Sequence, residues 1–219
     1  MPYSTVIPNA TYSPWRQDGE FQTLYDTVRS KTLVDIYRCY ELWSLVEQSA
    51  KLQGCLIEIG VWKGGTGSLI AKKARLAGIA DSVYLCDTFS GVVKASPRDF
   101  HYKGGEHADT SRREVEELTA ALALTNVVIL EGVFPDETAL DLGEKTFRFC
   151  HIDVDVYYSA KDILDWIWDK MVTGGIIVLD DYGFEGCEGI TQLINEQRNY
   201  PDRLIIHNLN GHAIVIKLP

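Results

Sequence analysis

The sequence has no apolar run close to the ~20 residues that a membrane-spanning helix requires. Its first residues, MPYSTVIPNATYSPW, also lack the basic start and the apolar core of a signal peptide. From these two absences we expect a cytoplasmic protein with no membrane partner.

Basic residues are also scarce relative to acidic ones. The chain has 21 Lys and Arg residues against 31 Asp and Glu residues, which gives a formal net charge of -10. Affinity for nucleic acid comes largely from Lys and Arg side chains that neutralise backbone phosphates. The composition therefore argues against a nucleic-acid partner, and we expect a small-molecule substrate.

Cysteine is present but is not arranged for a disulfide framework or a zinc cluster. The five cysteines are odd in number, and no two form a C-x-x-C pair. Three of them lie in or beside the apolar runs CLIEIG, VYLCD and RFCHID, where a cysteine usually behaves as a small buried hydrophobe.

The order of apolar runs predicts one α/β domain in 219 residues. Residues 1–20 are typical of an arm or loop, and residues 21–51 have the apolar spacing of two helices. After Gly54, short apolar runs alternate with amphipathic stretches, which predicts a parallel sheet covered by helices on both faces. The last two runs, RLIIHNLN and HAIVIKLP, surround Asn210-Gly211, a strong signal for a hairpin, and this predicts an antiparallel strand.

A glycine-rich turn follows the first predicted strand in LIEIGVWKGGTGSLIA, with Gly60 and Gly64 at its two ends. Such a turn lets the backbone approach a ligand at the carboxyl edge of the sheet. Three residues separate these glycines, so the turn does not have the G-x-G-x-x-G spacing of a dinucleotide site, which disfavours NAD. Glu58 lies within the apolar strand, and a buried carboxylate there needs a cationic or hydrogen-bonding partner.

Acidic residues also occur at the ends of the next two predicted strands. Asp87 ends the second strand, where a carboxylate suits the two hydroxyls of a ribose, and Glu131-Gly132 ends the third. Together with Glu58, these groups favour a nucleoside that carries positive charge over one that carries phosphates. S-adenosylmethionine, which has an ammonium and a sulfonium but no phosphate, fits this description.

Four further carboxylates follow the fourth and fifth predicted strands, in HIDVDVYYS and GGIIVLDDYG. Asp153 and Asp155 lie two positions apart, so they share a face for as long as the strand continues. With Asp180 and Asp181 they predict a cation site whose oxygen ligands favour Mg²⁺ or another hard divalent ion. Zinc would prefer His or Cys, and His151 alternates to the same side as Asp153. The other interpretation is that these aspartates cap helices and form turns.

The motifs IEIGVWKGG, YLCDTFSG, FCHIDVDVYYS and GGIIVLDDYG resemble the macrocin O-methyltransferase family, metal-dependent enzymes that methylate sugar hydroxyls of natural products. The resemblance covers roughly residues 31–195. It implies a class I methyltransferase-like Rossmann fold, with a mostly parallel seven-stranded sheet, a C-terminal antiparallel hairpin and N-terminal helices. We expect residues 1–53 to form an arm and helices of the same domain, as a lid or dimer contact, and residues 54–219 to form the S-adenosylmethionine-binding catalytic part.

The resemblance also assigns roles to residues. It implies that Asp153, Asp180 and Asp181 hold the metal and that Asp155 is the general base. It implies cofactor contacts at Glu58, Gly60, Asp87, Thr88, Phe89 and Ser90. To these cofactor candidates we add Gly64, Glu131, Gly132 and Asp153.

A polar loop with paired glycines, RDFHYKGGEHADTS, lies between the second strand and the next helix. Its position and glycines are typical of a lid, although a solvated loop is an equally good interpretation. Candidates for contact with the substrate or for the lid are His101, Tyr102, His107, Tyr157 and Tyr182.

The expected function is S-adenosylmethionine- and Mg²⁺-dependent methylation of a hydroxyl on a sugar or a glycosylated natural product, by a homo-oligomer. One alternative keeps the cofactor and the metal but uses a catechol or another small diol as the acceptor. A non-catalytic cofactor-binding protein and an NAD-dependent oxidoreductase are further alternatives. The four carboxylates disfavour the former, and the glycine spacing disfavours the latter.

Overall fold

In the part of the chain that the structure describes, three helices come before the first strand of the sheet. The computed structural model describes residues 3–6 and 11–219, so the predicted arm lies partly outside the described residues. A 3-10 helix, Pro14–Gln17, leads into α1 (Gly19–Val28), and α2 (Ile36–Ser49) follows. Two helices therefore occupy the segment in which the apolar spacing predicted two.

Aspartate side chains begin both helices. Asp18 accepts a hydrogen bond from the backbone N–H of Phe21 in α1, and Asp35 accepts from the N–H groups of Tyr37 and Arg38 in α2. These bonds satisfy backbone donors that have no partner within the first turn of a helix. The cap at Asp35 also fixes the start of α2, from which Arg38 extends toward the sheet.

Strands and helices alternate from residue 55 onward, as the pattern of apolar runs predicts. The helices of this part cover the sheet and are followed near the end of the chain by two consecutive strands. The elements are β1 (Cys55–Ile59), α3 (Gly65–Leu76), β2 (Val83–Asp87), α4 (Arg112–Ala121), β3 (Val127–Glu131), a 3-10 helix (Ala139–Leu142), β4 (Phe147–Ile152), α5 (Tyr157–Trp168), β5 (Met171–Leu179), α6 (Glu188–Gln197), β6 (Arg203–His207) and β7 (Ala213–Lys217).

The seven strands form one sheet in the order β3-β2-β1-β4-β5-β7-β6. The first five strands along the chain pair in parallel, and β7 pairs antiparallel with both β5 and β6. This confirms the predicted mostly parallel seven-stranded sheet with its C-terminal hairpin. The strand order reverses direction between β1 and β4, and in open α/β sheets ligands bind at such a switch point.

Alternate residues of the strands pack into apolar clusters on the two faces of the sheet. In β1, Ile57 and Ile59 face the cluster that includes α5 and α6, whereas Leu56 faces the cluster that includes α3. A third cluster joins the N-terminal helices around Phe21 and Trp43. Because both faces of the sheet are covered, a polar side chain in a strand is buried unless it lies near the strand end, and a buried one needs a hydrogen-bond partner.

The structure bears on the expectations for the cysteines and for membrane-spanning helices. The cysteines form no disulfide, and four of the five are buried. Among the described residues, no helix combines the length and the apolar character needed to cross a membrane.

Candidate active site

A cavity of about 240 Å³ opens at the carboxyl edge of the sheet, beside the switch between β1 and β4. It brings together ten of the residues selected from the sequence. Those that line it are Gly60, Asp87, Thr88, Tyr102, His107, Gly132, Asp153, Asp155, Asp180 and Asp181. All four aspartates that follow β4 and β5 therefore meet at one cavity.

The glycine turn after β1 passes directly against the end of β4. Gly60 has φ +88°, and a Cβ added there would lie 1.6 Å from the carbonyl oxygen of Asp153. Only glycine permits both this left-handed backbone and this close approach. The turn therefore forms one wall of the cavity with its backbone.

Asp87 holds this turn in place through its carboxylate. Its Oδ2 accepts hydrogen bonds from the backbone N–H groups of Val61 at 2.7 Å and Trp62 at 2.8 Å. Its Oδ1 accepts a bond of 2.7 Å from the N–H of Phe89. An ionised carboxylate has about four acceptor positions, so Asp87 can accept further hydrogen bonds from a ligand in the cavity.

Asp153 and Asp155 lie beyond the strand, which corrects the expectation that they share a strand face. β4 ends at Ile152, and Asp155 has a left-handed backbone with φ 63°. Asp181 likewise has φ 65°. Such positions are uncommon for residues with side chains and cluster at functional sites.

The carboxyl groups perturb one another in different ways. Burial, followed by the charges of Asp180 and Asp181, raises the pKa of Asp153 well above its usual range. Burial raises the pKa of Asp155, although the hydrogen bond from Tyr102 acts in the opposite direction. Burial and the neighbouring charge of Asp180 also raise the pKa of Asp181. Burial is the largest cause of each shift, and the charges of neighbouring carboxylates add to it at Asp153 and Asp181.

Asp180 is the most deeply buried of the four, and α2 supplies its partner. The guanidinium of Arg38 donates a hydrogen bond to Oδ1 of Asp180 and lies 3.7 Å from Oδ1 of Asp181. Arg38 is held from the other side by Asp35, at 2.9 Å. Burial alone would raise the pKa of Asp180, but positive charge around it keeps that pKa below its usual value.

The predicted lid loop contributes one side chain that touches an aspartate. The hydroxyl of Tyr102 donates a 2.6 Å hydrogen bond to Oδ1 of Asp155, and the ring of His107 lies 6.1 Å from that of Tyr102. The start of the loop is anchored, because buried Asp99 accepts a bond from the backbone N–H of Tyr157 at the start of α5. Tyr102 thus connects an anchored loop to the site.

The remaining selected residues do not line the cavity. Glu58 is fully buried and accepts a 2.8 Å hydrogen bond from Nδ1 of His151, which is the partner that its position in the strand required. The Tyr157 hydroxyl donates to Glu196, and burial together with this bond raises the pKa of Tyr157 to about 12. The other residues outside the lining are Gly64, Phe89, Ser90, His101, Glu131 and Tyr182.

Several lining residues were not selected from the sequence, among them Arg38, Trp62 and Phe134. Arg38 lies one helical turn from Val34 and Leu42, both of which are buried. A charged residue on the apolar stripe of a helix was therefore the signal that the sequence offered for it.

Among the described residues, two groups of potential metal ligands have their donor atoms within 4.8 Å of one another. One is Asp155 with Asp181 and Cys187, beside the cavity, and the other is His151 with Asp180 and His212. The predicted trio of Asp153, Asp180 and Asp181 is therefore divided, because two of its members fall in different groups and Asp153 falls in neither.

The seven-stranded sheet with one antiparallel strand, and a cavity at its switch point, define the fold of a class I methyltransferase. The chain belongs to the macrocin O-methyltransferase (TylF) family, whose model matches residues 22–212. The resemblance noted in the sequence motifs is thereby confirmed.

Two relatives and one solved structure illustrate the similarity. The chain is 28% identical over 170 residues to the 8-demethyl-8-(2,3-dimethoxy-alpha-L-rhamnosyl)-tetracenomycin-C 4'-O-methyltransferase of Streptomyces olivaceus. The matched segment covers 71% of this chain but only 64% of that relative. It is 24% identical over 205 residues to the mycinamicin III 3''-O-methyltransferase of Micromonospora griseorubida, covering 87% of this chain and 78% of the relative. The O-methyltransferase NovP superposes with a TM-score of 0.74 at 25% identity, covering 86% of this chain and 83% of that one.

Proposed function

We propose that the chain transfers a methyl group from S-adenosylmethionine to a hydroxyl of a sugar or a glycosylated natural product. The observation that carries this proposal is the acid-lined cavity beside the glycine turn. Among residues 3–6 and 11–219, five aspartates line it, namely Asp87 and the four that follow β4 and β5, and Arg38 is the one Lys or Arg of the lining. A phosphate-bearing cofactor such as NAD would be repelled there, whereas a cofactor with an ammonium and a sulfonium would be attracted.

The cofactor would lie along the glycine turn. Asp87 is proposed to accept a hydrogen bond from a ribose hydroxyl at its remaining acceptor position, while its existing bonds to Val61 and Trp62 keep the turn in place. Gly60 and Gly132 line the same part of the cavity and let the ligand approach the backbone. When bound, S-adenosylmethionine supplies an electrophilic methyl group on its sulfonium.

Asp155 is proposed as the general base that accepts the proton of the acceptor hydroxyl. Its raised pKa increases its affinity for a proton at neutral pH, which suits that role. The 2.6 Å bond from Tyr102 fixes the orientation of the carboxylate. Holding the reacting groups in place in this way contributes to the rate by proximity.

A hard divalent cation such as Mg²⁺ fits the donor set of this site. Burial and the charges of neighbouring carboxylates raise the pKa of both Asp153 and Asp181, and Arg38 compensates only part of the negative charge. Asp153, Asp180 and Asp181 are the residues proposed to hold the ion. A bound cation would lower the pKa of a coordinated hydroxyl and orient it.

The nature of the acceptor is inferred from the relatives, one of which is named for O-methylation of a rhamnosyl-bearing tetracenomycin and another for O-methylation of mycinamicin III. The test is a screen of deoxysugar glycosides against catechols, with S-adenosylmethionine and Mg²⁺, and mass spectrometry of the products. We expect a gain of one methylene unit on a glycoside. Methylation of catechols alone would contradict the acceptor class, and calorimetric binding of NAD in place of S-adenosylmethionine would contradict the reaction.

A further inference from the structure

Below the cavity, two histidines from distant parts of the chain point toward the same aspartate. His151 lies in β4 and His212 just before β7, and both are fully buried. Nε2 of His212 lies 3.7 Å from Oδ1 of Asp180. Donor atoms of His151, His212 and Asp180 all lie within 4.8 Å of one another, and we call these three residues the buried histidine cluster.

Each histidine is oriented by a glutamate on its other ring nitrogen. Nδ1 of His151 lies 2.8 Å from Oε1 of Glu58, and Nδ1 of His212 lies 2.6 Å from Oε2 of Glu41 in α2. An ionised carboxylate can only accept, so both Nδ1 atoms carry a hydrogen. This is the arrangement in which a carboxylate fixes the tautomer of a metal-binding histidine and directs Nε2 toward the ion.

The atoms that face the centre of the cluster lack partners. Nε2 of His151, Nε2 of His212 and Oδ2 of Asp180 are buried and have no hydrogen-bond partner among the described residues. Leaving several polar atoms unpaired in one buried place is costly. A ligand that contacts all three would remove that cost.

Charge leads to the same conclusion. Glu41, Glu58 and Asp180 contribute three carboxylates around the cluster, and the guanidinium of Arg38 on Asp180 compensates one of them. Arg38 also pairs with Asp35, so at least two negative charges remain uncompensated if the imidazoles are neutral. One divalent cation would balance them, and the only other balance within the cluster is protonation of both histidines.

We propose that the buried histidine cluster binds a divalent transition-metal ion of the zinc type, in addition to the hard cation proposed for the cavity, with Asp180 as a ligand shared by the two ions. Imidazole nitrogens select ions such as Zn²⁺ or Co²⁺, whereas Mg²⁺ prefers oxygen ligands. Tetrahedral bonds of about 2.0–2.2 Å place ligand atoms about 3.4 Å apart, so ligand atoms that lie within 4.8 Å of one another need to approach by at most about 1.4 Å. The ion would join β4, β5 and β7 beneath the cavity and fix the position of Asp180.

The test uses untagged protein that has been treated with a chelator and then titrated with Co²⁺, followed by its visible absorption, and with Zn²⁺ in competition with a chromogenic chelator. We expect one ion per chain, bound in the presence of excess Mg²⁺. Replacement of either ligand, by His151→Gln or His212→Gln, is expected to weaken Zn²⁺ binding more than about 100-fold. The matched controls, His101→Gln and His207→Gln, change exposed histidines and are expected to bind as the wild type does.

A third variant, Glu41→Gln, keeps the proposal testable if His151→Gln or His212→Gln fails to fold. Glu41→Gln retains both histidines and Asp180, and it is expected to weaken Zn²⁺ binding about 10- to 100-fold because Glu41 is the orienting partner of His212. Glu41 also accepts bonds from Asn208 and Asn210, to which the amide oxygen of Gln can still bond. Circular dichroism in the presence of chelator establishes that each variant is folded. The proposal is overturned if micromolar Co²⁺ and Zn²⁺ do not bind, if His212→Gln binds like the wild type, or if nitrogen-15 NMR of metal-treated protein shows both Nε2 atoms protonated.

Discussion

The hydroxyl of Tyr102 lies 2.6 Å from Oδ1 of Asp155, so a residue of the polar loop directly holds the proposed base. Tyr102→Phe removes this bond without changing the size of the ring. We expect kcat to fall about tenfold, equivalent to ~1.4 kcal/mol of transition-state stabilisation. The KM for S-adenosylmethionine should not change.

The same substitution has an effect on pH dependence with a defined sign. The bond from Tyr102 lowers the pKa of Asp155, so its loss raises that pKa further. A base must be ionised to act, and the acid limb of the pH–rate profile should therefore move to higher pH. Tyr158→Phe, at a partly exposed position on α5, is the control. An unchanged acid limb in Tyr102→Phe would argue against Asp155 as the titrating base.

Asp87→Asn tests the proposed cofactor contact. The amide oxygen can still accept a bond from the glycine turn, but the charge is lost, and charge-assisted bonds contribute about 1.5–3 kcal/mol. The Kd for S-adenosylhomocysteine should increase about 10- to 100-fold in calorimetry. Glu131→Gln, at the end of β3 and outside the cavity lining, should bind within twofold of the wild type, roughly the scatter expected for a surface change. Equal affinities in all three proteins would remove Asp87 from the cofactor site.

Asp181→Asn tests, by its effect on the free energy of unfolding, whether negative charge is in excess in the cavity. Asp181 has a raised pKa in the folded protein, so the folded state binds more protons than the unfolded state above about pH 4. The contribution of protonated Asp181 to the stability of the folded protein is greatest below about pH 4. This contribution is lost as the pH rises through the folded-state pKa of Asp181. In metal-free protein at pH 7, the variant should gain about 1 kcal/mol, or ~2–4 °C in Tm.

The gain should vanish below about pH 3, where Asp181 is protonated in both the folded and the unfolded state. Adding Mg²⁺ should stabilise the wild type more than Asp181→Asn, because the variant has lost a proposed ligand. Asp165→Asn, an exposed position on α5, is the control for loss of a carboxylate alone. A destabilised Asp181→Asn at pH 7 without metal would show that the carboxylates are already neutralised.

Gly60→Ala tests the contact between the turn and the end of β4. A Cβ there would lie 1.6 Å from the carbonyl oxygen of Asp153, so the backbone must move. Gly78 provides a matched control, since it has φ +75° but nothing within 4 Å of an added Cβ. Gly78→Ala should cost about 1–2 kcal/mol, the conformational penalty alone. Gly60→Ala should cost roughly 4 kcal/mol or more in urea unfolding, and similar costs for the two variants would contradict the close approach.

Much of the fold follows from the sequence because its signals are local. Short apolar runs and helical apolar spacing predicted the strands and helices, and Asn210-Gly211 predicted the hairpin that makes β7 antiparallel. The convergence of four aspartates followed from parallel strands ending at one edge. Their exact arrangement did not, because β4 ends at Ile152 and the left-handed backbone of Asp155 is set by tertiary contacts rather than by strand geometry.

The residues that surround the aspartates were harder to find. Arg38 lies 142 positions from Asp180 in sequence, and Glu41 lies 171 positions from His212. No spacing rule connects such pairs, because they meet only when α2 packs against the sheet. The position of Glu58 in an apolar strand predicted that its carboxylate has a polar partner. Only the register of β1 with β4 identifies that partner as His151.

The central claim, that Asp155 accepts the proton in methyl transfer from S-adenosylmethionine, is tested most directly by single-turnover transfer in Asp155→Asn. The variant keeps the size of the side chain, and its affinity for S-adenosylhomocysteine provides an internal measure of an intact site, with Asp165→Asn as the control. We predict unchanged affinity and a transfer rate lower by at least about 100-fold, the lower range for general base catalysis. Transfer at a rate close to that of the wild type would contradict the account.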